Sequence, residues 1–95
     1  VVSAVCHHYK VSEEALSSSS RSRTISYPRQ VAMYLARTET DASLPQIGAR
    51  LGNRDHTTIL YGYEKISKAV ERDADLRRDT LEIKAVLYEP SPAYS

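Results

Sequence analysis

Apolar positions recur at helical spacing along most of the chain, and no stretch alternates as a half-buried strand would. Val1, Val2, Val5 and Tyr9 fall on one side of a first helix. Val11-Ser12-Glu13-Glu14-Ala15-Leu16 predicts the start of a second: Ser12 can cap it, Val11 and Leu16 can form a hydrophobic staple, and both glutamates sit where the helix dipole favours acid. Ser17–Ser20 breaks the pattern and, with Arg21-Ser22-Arg23, reads as an exposed, mobile, basic loop. Pro28 suits the first turn of a third helix whose apolar face is Val31, Ala32 and Leu35, and the polar run Thr38–Ala42 reads as a connection.

Ser43-Leu44-Pro45-Gln46 has the form of a capping box, and Leu44, Ile47, Gly48 and Leu51 then follow the i, i+3, i+4, i+7 pattern up to Gly52, which can close a helix in the left-handed conformation. Asp55 is placed to cap a fifth helix with Ile59, Tyr63, Ile66 and Val70 on its buried stripe and Thr57, Tyr61, Lys68 and Arg72 facing away. Asp73 can cap a sixth, with Leu76, Thr80, Ile83 and Leu87 inside. Pro90-Ser91-Pro92 begins an expected disordered tail, so the reading is one domain over 1–89 and a tail over 90–95. The predicted fold is an all-α, six-helix bundle.

Composition adds bounds. With 95 residues, 41% hydrophobic and 26% charged, the chain holds one ordinary globular domain. No apolar run approaches the ~20 residues of a membrane span, and no signal peptide is visible. One cysteine allows no internal disulfide, which makes a reducing, cytoplasmic setting the expectation. Val1 in place of a methionine suggests a piece of something longer. The net charge of +1 conceals a local excess, because residues 21–65 carry seven Lys/Arg against four acids while both flanks are slightly acidic. A basic excess confined to mid-chain suits a local polyanion contact.

The informative unit is Ser43–Tyr63: a two-turn helix, the link Gly52-Asn53-Arg54 and a longer helix, which is a helix-turn-helix layout. Such a motif leads its second helix into the major groove by its N-terminal residues, here Arg54, Asp55, His56, Thr57 and Thr58. Asp55 can accept from cytosine N4, His56 can reach base edges, and Thr57 and Thr58 can meet a thymine methyl or a phosphate.

Arg54-Asp55-His56-Thr57-Thr58, preceded by Ser43-Leu44-Pro45-Gln46-Ile47-Gly48, resembles the signature of the C-terminal DNA-binding domain (domain IV) of the bacterial replication initiator family, DnaA. Pro28-Arg29-Gln30-Val31-Ala32-Met33-Tyr34-Leu35 resembles that family's third helix, and Val5 to Val11 its opening helix. The resemblance implies a Trp-repressor-like bundle that binds duplex DNA at asymmetric origin boxes, an A/T-rich half followed by a CACA-like half. It implies base contacts by Asp55, His56, Thr57 and Thr58 in the major groove. Arg21 would enter the narrow, negative minor groove of the A/T-rich half. Arg29, Gln30, Arg37, Thr40, Leu44, Pro45 and Lys65 would line the phosphate backbone, with Arg23 and Arg54 beside them. The chain departs from the family at Ser17–Ser20 and Glu64, where basic residues are usual, and at Asn53, where glycine is usual; asparagine tolerates the left-handed conformation.

Two alternatives stay open on the sequence: a stand-alone or transposon-linked regulator using this domain, and a protein-interaction domain that lost DNA affinity. Other chemistry finds little support. Cys6-His7-His8 offers metal-capable groups with no further ligands nearby in sequence, so no metal is expected. Ser43, Asp55 and His56 lack a strained nucleophile turn, so no enzymatic activity is expected. No GxxxxGK[ST] loop exists, so no cofactor is expected, and ATP would belong to an upstream ATPase domain of the parent. The domain is expected to be a cytoplasmic, nucleoid-associated monomer that regulatory proteins can also contact.

Overall fold

Each helix carries an apolar stripe, and four of the six, all but the first and third, also start at a side-chain cap. The computed structural model describes residues 1–88. Within them lie α1 Val2–Tyr9, α2 Glu13–Ser17, α3 Arg23–Glu39, α4 Leu44–Arg50, α5 His56–Arg72 and α6 Ala74–Tyr88, and no strand. The all-α, six-helix reading therefore holds. The expected tail over 90–95 and the boundary at 89 fall outside the described residues.

The caps fix the starts of α2, α4, α5 and α6, while α1 and α3 begin without one. Ser12 Oγ accepts from the Ala15 amide at 3.0 Å. Ser43 Oγ accepts from the Gln46 amide at 3.3 Å while Gln46 Oε1 accepts from the Ser43 amide at 2.8 Å, closing the capping box. Asp73 Oδ1 takes the Asp75 and Leu76 amides at 2.9 and 3.1 Å. Each satisfies helix N–H groups that have no intrahelical partner.

One start differs from expectation. Helix α3 begins at Arg23, so Pro28 is its sixth residue and not part of its first turn. Proline there supplies no N–H to the Thr24 carbonyl, a cost inside a helix. The extra turn compensates through burial. Pro28 is itself buried, and Tyr27 meets Tyr9 edge-on at 6.0 Å between ring centroids. Arg23 is consequently a helical residue, its guanidinium 5.4 Å from the Tyr27 ring centroid.

Helix α3 is the central element. Its Val31, Ala32, Met33, Leu35 and Ala36 are buried against Ile59 and Ile66 of α5, Ile47 of α4, Val5 of α1 and Leu16 of α2 in one continuous core, which Leu76 and Ile83 of α6 complete. Tyr63 stacks on Tyr34 at 5.9 Å and 20°, half-buried at the edge of that core as its stripe position predicts. Removing this apolar surface from water is the main force holding α4 and α5 in a fixed mutual orientation.

Candidate nucleic-acid interface

The helix-turn-helix is built by three backbone devices. Leu51 donates to the Ile47 and Gly48 carbonyls, ending α4. Gly52 and Asn53 then take left-handed φ values of 83° and 57°. The Arg54 amide returns to the Gly48 carbonyl at 3.0 Å. The chain lies so close that a β-carbon at Gly48 would run into the Arg54 carbonyl oxygen. Asn53 adopts the conformation that its departure from glycine called into question.

Asp55 ends the turn and caps α5. Its Oδ2 accepts from the Thr57 amide at 3.2 Å and from the Thr57 hydroxyl, and its Oδ1 lies 3.5 Å from His56 Nδ1. The Thr57 hydroxyl, followed by the Thr57 amide, holds the Asp55 carboxyl below its ordinary value. Asp55, His56, Thr57 and Thr58 are all exposed. The cap thus fixes the Asp55 carboxylate at an exposed tip beside the His56 imidazole, with Thr57 and Thr58 following it on the surface. Pro45 and Ala49 of α4 share with Asn53, Arg54, Asp55 and His56 a shallow hollow of about 290 Å³. The predicted reading tip and the predicted contact residue Pro45 therefore occupy one surface.

The serine loop, expected to be exposed and mobile, is tied down by hydrogen bonds of its own and from α3. Ser18 Oγ donates to the Ala15 carbonyl at 2.6 Å, and the Ser20 and Ser22 amides donate to Ser18 and Ser20 hydroxyls at 3.2 and 3.3 Å. Arg29 reaches into it from α3, donating to the carbonyls of Leu16 (2.7 Å), Ser20 (3.0 Å), Ser18 (3.0 Å) and Ala15 (3.4 Å). The phosphate contact expected of Arg29 is thereby corrected. Its side chain is buried and four of its five N–H groups are spent on main-chain carbonyls, two of which, Leu16 and Ser20, rely on it alone among the hydrogen bonds described. Burial, followed by the nearby charge of Arg54, pushes the Arg29 guanidinium down from its ordinary value. Arg21 stands exposed on this loop.

The other expected contacts divide. Arg54 is half-buried and donates to the Leu51 and Ser18 carbonyls, and burial lowers its guanidinium too. Gln30 lies at the crossing of α3 and α5, with its Cγ 3.4 Å from where a Gly62 β-carbon would stand. Leu44 packs partly on the core, and the Thr40 hydroxyl donates to the Ala36 carbonyl. Arg37 and Lys65 are exposed, and among the described residues neither forms an ion pair. The fold also brings together groups the sequence kept apart: His8 with Asp79 and Glu82 of α6, their ligand-type atoms within 4.8 Å of one another. A 3.2 Å hydrogen bond between His8 Nε2 and Asp79 Oδ1 accounts for two of the three. Sequence reasoning missed Gly48 and the Ser17 and Ser18 carbonyls. Only a glycine at the close approach of two helices carries a readable signal, because carbonyl acceptors are present at every residue.

Comparison with known proteins places this geometry. A family model described as the bacterial dnaA protein helix-turn-helix matches residues 1–66. The chromosomal replication initiator protein DnaA of Thermomicrobium roseum is 48% identical over 93 residues, covering 98% of this chain and 20% of that protein. The proteins of the same name from Herpetosiphon aurantiacus and Caldanaerobacter subterraneus are each 49% identical, over 84 and 80 residues. The chain spans about a fifth of the length of these curated relatives.

Proposed function

The chain belongs to the bacterial dnaA helix-turn-helix family, and from that premise we propose that it is the box-reading part of a chromosomal replication initiator. It binds duplex DNA sequence-specifically. The observation that carries this reading is the exposed tip Asp55-His56-Thr57-Thr58, capped and aimed by a buried helix pair, with Arg21 exposed on an anchored loop beside the same turn. Phosphate contacts from Arg23, Arg37, Lys65, Thr40, Gln30 and the N-terminal turn of α4 at Leu44 and Pro45 set the register. The tip reads major-groove edges: His56 and Asp55 offer hydrogen bonds, and Thr57 and Thr58 offer methyl contacts. Arg21 reads the minor groove of the A/T-rich half, whose narrow width concentrates negative potential. The chain itself performs no catalysis, takes no cofactor and acts in the cytoplasm as a monomeric module. ATP would belong to an upstream ATPase domain of the parent, and regulatory proteins can also contact this module. Among the described residues no helix is long and apolar enough to cross a membrane.

A gel-shift titration tests this. A duplex with an A/T-rich half followed by a CACA-like half is expected to bind at least ~10³-fold tighter than a scrambled duplex of equal length. Equal affinities would refute sequence-specific reading and favour a domain with a protein partner.

A further inference from the structure

Ser18 and Arg54 are 36 residues apart, and one side chain joins them. Arg54 follows the left-handed pair Gly52 and Asn53, and its two terminal nitrogens donate outward on either side. One goes back to the Leu51 carbonyl at the end of α4, the other across to the Ser18 carbonyl in the loop that carries Arg21. The junction is tight as well as bonded, because a β-carbon on Gly52 would collide with the Ser17 carbonyl oxygen. Arg29 holds the same Ser18 carbonyl from the α3 side.

We propose that Arg54 is a positioning residue for DNA recognition. By bridging Ser18 and Leu51 it fixes the Arg21 loop against the helix-turn-helix, so that the minor-groove and major-groove contacts arrive as one preorganised unit. The proposal rests on the functional reading above. It assigns Arg54 a role different from phosphate contact, since its guanidinium is half-buried and committed to carbonyls. Arginine is required because a rigid planar fork can serve two carbonyls at once, while lysine offers the same charge as a single point. Holding the loop before binding removes the ordering cost that a free loop would incur on the DNA.

A double-mutant cycle on the box duplex, read by fluorescence anisotropy, tests the proposal. Arg21→Ala alone is expected to weaken binding about tenfold or more. In an Arg54→Lys background the same change is expected to cost less than about threefold, because Arg21 is no longer held in place. Arg54→Lys keeps the charge, so its loss of affinity is expected to fall on the box duplex more than on scrambled duplex, and an equal loss on both would also overturn the proposal. An equal Arg21→Ala penalty in both backgrounds would overturn the proposal. If wild-type chain fails to prefer the box at all, it is the functional reading that falls. Nitrogen-15 relaxation on the wild-type chain supplies a check that needs no variant. Ser18–Ser22 amides are expected to show order parameters near those of α3, ~0.85, and values below ~0.6 would equally overturn the bridge.

Discussion

Asp55 carries a helix cap and a proposed cytosine contact on the same carboxylate, and the two can be separated. As a cap it accepts from the Thr57 amide and hydroxyl, so Asp55→Ala is expected to lower Tm by a few degrees at neutral pH. Because these bonds depress the folded-state pKa, the stabilisation is present above the unfolded carboxyl value of ~3.9 and is lost as pH falls through the lower folded value. The Tm gap between wild type and Asp55→Ala should therefore be constant from about pH 5 to 8 and close below about pH 4. Relaxed preference at one box position, measured on single-substituted duplexes, would report the contact independently. Arg29 makes the complementary case. Arg29→Met removes the donor to the Leu16 and Ser20 carbonyls and one of the donors to those of Ala15 and Ser18, and urea unfolding is expected to show a loss of about 3 kcal/mol. The Asp55 cap was legible in the sequence because its partner is two residues away. The burial of Arg29 was not, because its partners are main-chain carbonyls 9 to 14 residues back, and nothing in a side-chain pattern marks them.

At the scale of elements, two glycines test how closely the helices are set. A β-carbon at Gly48 would strike the Arg54 backbone carbonyl, whereas one at Gly62 would meet the Met33 sulfur where α5 crosses α3. Backbone of the turn cannot retreat without breaking the Arg54 to Gly48 hydrogen bond, but a methionine side chain can change rotamer. Gly48→Ala is expected to cost about 2–3 kcal/mol and to weaken box binding, and Gly62→Ala less than about 1.5 kcal/mol with binding retained. Thermal unfolding and anisotropy on the same samples check both halves. The same distinction governs what the sequence revealed about the elements. Helices α4, α5 and α6 were readable because cap and stripe coincide within a few residues. The start of α3 was misplaced because proline's preference for a first turn is local, while burial of Tyr27 and Pro28 depends on where α1 lies.

For the whole molecule, the basic excess of residues 21–65 becomes a count of usable charges only once the fold is known. Of its seven cations, Arg29 is buried, Arg54 is bound to carbonyls, and Arg50 pairs with Glu13 at 3.4 Å. Arg21, Arg23, Arg37 and Lys65 remain exposed for phosphate or groove contact. The sequence alone suggests about five phosphate contacts and a slope of log affinity against log salt near −4 to −5. Four exposed cations instead predict a slope of about −3.5. Binding isotherms of the box duplex between ~50 and ~200 mM salt resolve the two. A slope of −5 or steeper would mean that Arg29 or Arg54 leaves its carbonyls for the backbone. A slope near zero would remove the electrostatic part of the interface. The expected intermediate slope follows because arginine in this domain is divided between two tasks, with some guanidinium groups holding the loop and turn in shape so that the others meet the DNA in register.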